Sequence, residues 1–162
     1  MQLSARVSGR FFMFRWVGLA SCLICTLANA DLLIDTPFTF GRLAISDNSQ
    51  VSSTTLARNG NQSYTGRLLV IEKGTPGTYT LTELPPFTSF SLTPSLPAYS
   101  SVAIPGSAQF VITALDIPPT VKADINGDAQ FTIGGTLTTS GNGQPYLGPA
   151  DYQIMLDIEI SY

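Results

Sequence analysis

Between residues 152 and 162 every second position is apolar. Tyr152, Ile154, Leu156, Ile158, Ile160 and Tyr162 alternate with Gln153, Asp157, Glu159 and Ser161, and Met155 is the one apolar exception. A period of two places the first set on one face of an extended strand and the second on the other. Wound into a helix, the same residues would drop Asp157 and Glu159 into the apolar stripe. A strand with one oily and one wet face must lie on a second layer, so this segment commits the chain to a packed sheet.

The rest of the chain beyond residue 30 obeys the same rule. No window shows the i, i+3, i+4, i+7 recurrence of a helix, and Thr, Ser, Val, Ile and aromatic residues abound. Phe110, Ile112 and Ala114 alternate with Val111, Thr113 and Leu115, and Tyr79 and Leu81 alternate with Thr80 and Thr82. Phe131, Ile133 and Leu137 are spaced around Gly134-Gly135, a pair that signals a bulge or a close backbone approach. The continuous apolar run 68–71 predicts a strand covered on both faces. Further strands are expected near 32–34, 38–43, 51–56 and 99–104. Turn signals separate these runs, the strongest being Asn126-Gly127, which predicts a type I′ hairpin joining 121–125 to 128–133. Residues 85–97 carry four prolines and read as a loop or sheet edge, since each proline removes a ladder donor. The whole predicts an all-β chain: a single immunoglobulin-like antiparallel β-sandwich of about eight or nine short strands.

The first thirty residues are of another kind. Arg6, Arg10 and Arg15 precede an apolar run over 16–28 that ends in Ala28-Asn29-Ala30, and no acid interrupts it. This is the order of a secretory signal peptide, giving 1–30 as the leader and 31–162 as the sandwich domain. The run is too short for the roughly 20 residues that span a bilayer. An uncleaved anchor, with Arg15 snorkelling, is one rival reading. A lipoprotein signal at Leu19-Ala20-Ser21-Cys22 is another, but apolar residues continue past Cys22. Cleavage after Ala30 leaves no membrane span and places the protein in the periplasm, on the cell surface or outside the cell.

Removing the leader also removes both cysteines, Cys22 and Cys25, and the chain has no histidine at all. Thiolate chemistry, disulfides and histidine metal sites are thereby excluded from residues 31–162. Five basic residues (Arg42, Arg58, Arg67, Lys73, Lys122) stand against eleven acids, a net charge of −6, which speaks against a nucleic-acid partner. Asp157 and Glu159 share a strand face, but the wet outer face of an antiparallel sheet accounts for them without catalysis. No Gly-x-Ser-x-Gly elbow, phosphate-binding loop or dinucleotide fingerprint occurs. Asp124-Ile125-Asn126-Gly127-Asp128 opens like a calcium loop and then fails it, with Ala129 where glycine is needed and Gly135 where glutamate should close the cage. The expectation is a protein that is not an enzyme and has no catalytic residues, cofactor or metal.

Three motifs carry a family resemblance. Phe38-Thr39-Phe40-Gly41 opens the domain, Gly134-Gly135-Thr136-Leu137 forms an interior strand, and Gln144 with Tyr146-Leu147-Gly148 leads into the last strand ending at Tyr162. Together they resemble a family of small exported bacterial β-proteins catalogued as a domain of unknown function. Pro149-Ala150-Asp151 lengthens the connection into the last strand relative to that pattern. The resemblance covers the whole of 31–162 and implies no catalytic residue. In style the chain is also similar to pilus subunits of the chaperone–usher kind, although their two-cysteine bridge is missing and Pro37 interrupts the segment that would donate.

That similarity implies an exported structural or adhesive cell-surface protein, a fimbrial-type subunit assembling by β-strand complementation. Its partners would be further copies, in an oligomer or filament, and a periplasmic chaperone. The residues for assembly would be Leu32, Ile34, Phe38 and Phe40 on the donating segment. Tyr152, Ile154, Leu156, Ile158, Ile160 and Tyr162 would line the acceptor. The alternative is a stand-alone secreted binding module that presents Phe87, Phe90, Tyr99 and Tyr146 to a glycan or protein.

Overall fold

The alternation of residue types in the C-terminal segment is an alternation of burial in the computed structural model, which describes residues 3–8, 30–101 and 105–161. Strand β13 (Ile154–Ser161) buries Ile154, Leu156 and Ile158 and exposes Met155, Asp157 and Glu159. It pairs antiparallel with β8 (Ser89–Pro94), and β8 pairs antiparallel with β11 (Thr120–Lys122). Along its other side runs β1 (Leu3–Ser8), parallel to it. These four strands, in the order β1-β13-β8-β11, make one sheet.

The second sheet is organised on β12 (Ala129–Thr138), ten residues long. Its first half pairs with β7 (Gly77–Thr82); its second half pairs with both β4 (Ser53–Leu56) and β10 (Val111–Asp116). The edges are extended by β2 (Asp31–Thr36) on β7, β9 (Ala98–Tyr99) on β10 and β5 (Gln62–Thr65) on β4. A separate ribbon is formed by β3 (Arg42–Ile45) and β6 (Leu68–Glu72). Every pairing except β1 with β13 is antiparallel. No described residue is helical.

The apolar faces of the two sheets enter one continuous core. Leu156, Ile158, Phe90 and Leu92 come from the first, and Tyr79, Leu81, Phe131, Ile133 and Leu137 from the second. Phe38 and Phe40, just before β3, are fully buried with their rings 4.8 Å apart. Each such side chain contributes about 1.5–3 kcal/mol by leaving water. The glycine pair in β12 has the use its composition suggests. A Cβ on Gly134 would collide with the Leu56 carbonyl of β4, and one on Gly135 would sit 3.0 Å from the Ala114 carbonyl of β10. Two neighbouring backbones close in here, and β12 itself carries no bulge.

The all-β sandwich expected from the alternation is the observed architecture, but it is cut finer. The described residues form twelve strands between 30 and 161, plus β1, where about eight or nine are expected. Four local expectations fail, each for a physical reason. At Asn126-Gly127 the chain turns without making a hairpin. Only Gly127 has positive φ, 85°, whereas a type I′ turn needs it twice. The Asp124 carboxylate intervenes, accepting the Asn126 and Asp128 amides at 2.8 and 2.9 Å, and β11 departs to the other sheet. Residues 85–97 contain β8, which lies inside its sheet; Pro85 and Pro86 precede the strand, Pro94 ends it and Pro97 follows it. In 68–71 only Leu68 is buried, and Leu69 and Ile71 are exposed, because β6 has no layer over its outer face. In β10 a bulge between Ile112 and Ala114 shifts the phase, so Ala114 is exposed and Leu115 half-buried.

Two outcomes follow for stability. Leu156→Ala is expected to cost about 2–5 kcal/mol in urea unfolding, and its exposed neighbour Met155→Ala less than about 0.5 kcal/mol. The Asp124 carboxyl titrates below its ordinary value, held there chiefly by the Asp128 amide; burial opposes that shift, and the Asn126 amide and side chain add to it. A depressed carboxyl stabilises above its unfolded pKa of about 3.9 and loses that contribution as pH falls through the lower folded value. The melting-temperature gap between wild type and Asp124→Asn is therefore expected to be widest above about pH 4 and to close on acidification.

Candidate functional site

The geometry of β13 follows from which way its backbone groups point. The Ser95 amide donates to the Asp157 carbonyl at 2.9 Å, and the Ser101 amide to the Gln153 carbonyl at 2.8 Å. In an antiparallel ladder alternate residues address the same side. Gln153, Met155, Asp157 and Glu159 thus serve residues 91–101, whereas Ile154, Leu156 and Ile158 direct their N–H and C=O groups to the opposite edge. Among the described residues that edge has one neighbour, β1, in the register Leu3↔Ile154 to Ser8↔Glu159. The segment supplying β1 is the one whose composition reads as a leader. Asp157 and Glu159 lie on the exposed face, as their alternation predicts.

The residues expected to assemble fall into two groups on different sheets. Leu32 and Ile34 lie on β2, which forms an edge of the second sheet and pairs with β7 of its own chain, with a bulge between Ile34 and Thr36. Leu32 is half-buried, but Leu33 and Ile34 are 49% and 51% exposed, so β2 buries little. It is clipped by Asp35, whose carboxylate accepts the Thr80 hydroxyl at 2.7 Å and the Gln130 amide at 3.2 Å. Phe38 and Phe40 are in the core. Tyr152, Ile154, Leu156 and Ile158 are buried, Ile160 is half-buried, and Tyr162 lies outside the described residues.

The four aromatics singled out for ligand contact do not form one patch. Phe90 is core; Tyr99 is exposed on β9; Phe87 is exposed in a loop with φ of 60°, a strained backbone for a bulky residue. Tyr146 has a different setting. Its ring lies 4.3 Å from that of Phe110 and 6.0 Å from that of Tyr152, while Phe110 and Tyr152 meet edge-on at 5.0 Å. Its hydroxyl donates to the Gln109 carbonyl at 2.8 Å and receives the Ser140 amide at 2.9 Å. Burial raises the phenol above its ordinary pKa, partly offset by the Ser140 bond.

This aromatic trio floors a groove of about 1020 Å³. One wall is β3 with Glu72 and Lys73 beside it, and the other is the 147–151 connection. Arg42 and Glu72 pair at 3.2 Å on the rim, both largely exposed. Periodicity could not have found this groove, because β3 and the 147–151 connection are brought together only by the tertiary fold. A second, smaller hollow of about 600 Å³ lies beside the Arg58–Asp116 ion pair, which is closed at 2.8 Å. The Asp124 carboxylate is engaged by its own turn, and no group of three or more potential metal-ligating side chains occurs among the described residues.

Comparison with known proteins adds one match. No curated protein and no solved structure matches the chain. The family model described as a domain of unknown function, DUF4402, matches residues 32–162, which is nearly the whole span from β2 to the end of the last strand. The motifs Phe38-Thr39-Phe40-Gly41 and Gly134-Gly135-Thr136-Leu137 both lie within it, the first carrying two buried rings and the second at the crowded centre of the second sheet. The chain belongs to the DUF4402 family of domains of unknown function.

Proposed function

We propose that the protein is an exported, non-catalytic structural or adhesive subunit of the cell surface, of fimbrial type, that assembles by accepting a β-strand from a neighbouring chain. The observation that carries this reading is the outer edge of β13. Three buried residues, Ile154, Leu156 and Ile158, direct their backbone groups to that edge, and among the described residues only β1, from the segment that reads as a leader, pairs there. Once a leader is cleaved, the edge becomes a row of unpaired donors and acceptors beside an apolar interior, which is the template for strand addition. The weakly buried β2, lying directly after the leader, suits a strand that is exchanged between copies. A head-to-tail contact of this sort does not close on itself and builds filaments. A periplasmic chaperone would shield the same edge before assembly.

The test is light scattering on the product of the complete sequence, with and without residues 31–36, read together with amide exchange. Concentration-dependent oligomers are expected, with the Leu156 and Ile158 amides protected in the oligomer and fast in the monomer, and the ladder lost on deletion. A monomer at every concentration, with those amides slow to exchange, sinks the reading.

A further inference from the structure

The groove floored by Tyr146 has features that strand assembly does not use. The Tyr146 ring is fixed before any ligand arrives. Phe110 supports it at 4.3 Å, and its hydroxyl is tied on both sides, to the Gln109 carbonyl and the Ser140 amide. A ring held this way loses little freedom on binding, so contact with it converts efficiently into affinity. Tyr146 is only half-buried and lines the groove, whereas Phe110 and Tyr152 behind it are buried.

The electrostatics of the groove select against an ion. Its lining carries two positive groups, Arg42 and Lys73, and two negative ones, Glu72 and Asp151. Charges of equal number leave the groove lining without a net charge that would favour an anion or a cation. Arg42 and Glu72 are nevertheless planar, exposed hydrogen-bonding groups already facing each other at 3.2 Å. A guanidinium and a carboxylate of this kind can each engage two adjacent hydroxyls, and charge-assisted bonds of that kind are the stronger ones. The volume, about 1020 Å³, is at the upper end of the roughly 300–1,000 Å³ of ordinary small-molecule sites, which favours an elongated ligand over a single small ring.

We infer that the Tyr146 groove binds a neutral oligosaccharide, one sugar ring laid on Tyr146 and its hydroxyls held by Arg42 and Glu72. A pyranose has one face of C–H bonds, slightly positive, that complements the negative face of an aromatic ring, and an equator of hydroxyls. Such a ligand meets both halves of this lining, the aromatic floor and the charged rim. An extended peptide would want apolar subsites at alternate positions, and the rim here is charged on both walls. The inference stands apart from strand assembly, because the groove is complete within one chain.

The test is an amide-shift titration of the ¹⁵N-labelled product of the complete sequence. The probes are cellotetraose, maltotetraose, chitotetraose and mannotetraose, each to about 10 mM, a ceiling that captures millimolar binding. At least one is expected to shift the amides of Leu43, Ala44, Lys73, Leu147 and Asp151. Arg42→Ala, on the exposed rim and no threat to the fold, is expected to weaken that binding about tenfold, the loss of one charge-assisted bond. Tyr146→Ala is expected to abolish it, while Tyr146→Phe, which keeps the ring, retains binding within about fivefold. The inference is overturned if no tetrasaccharide moves those amides, or if Arg42→Ala leaves the affinity unchanged. It is overturned equally if the hexapeptide of residues 31–36 moves them and the sugars do not.

Discussion

The close approach of three backbones at Gly134-Gly135 is the constraint on which the rest of the structure depends. At the middle of β12 the chain meets β4 through the Leu56 carbonyl, which leaves no room for a side chain on Gly134, and β10 through the Ala114 carbonyl, which a side chain on Gly135 would crowd at 3.0 Å. Because β12 also pairs with β7, a single ten-residue strand orders most of the second sheet. Its inward residues, Phe131, Ile133 and Leu137, then set the spacing at which β13 and β8 of the first sheet can pack. Among residues 31–162 there is no cysteine to share this task, so burial and backbone pairing hold the domain.

Much of this was legible because period two is a geometric signal. It identified β13, β7 and most of β12 residue by residue, and the glycine pair announced the crowding in β12. What it could not convey is partnership. Residues 121–125 and 128–133 flank a good turn, yet β11 and β12 belong to different sheets, since the Asp124 carboxylate captures the turn and tertiary burial chooses the partners. Ala114 and Leu115 fall out of the expected phase because the bulge between Ile112 and Ala114 has no glycine to announce it. The exposed Leu69 and Ile71 show the converse: an apolar run says nothing about whether a second layer exists to cover it.

The candidate sites were legible to different degrees. The buried face of β13 was readable directly, but the direction of its backbone groups emerges only once Ser95 and Ser101 are seen on one side of it. Tyr146 stood out as an aromatic near a glycine turn, whereas its support by Phe110 and its position opposite Arg42 join parts of the chain about 36 and 104 residues apart, beyond the reach of any local pattern. The family to which the chain belongs covers both features and assigns neither of them a role.

Residues 89–101 have a mechanical consequence. The stretch runs first beside β13 as β8, and two residues of it, as β9, then pair with β10 in the opposite sheet. One covalent stretch therefore stitches both layers. Tension applied along β13 would load its ladder with β8 in shear, every bond together instead of one after another. The same tension would pass through Ser100 and Tyr99 into β10 and so into β12. A domain wired in this way carries a pull across its full thickness, and its layers cannot slide apart while that corner remains paired.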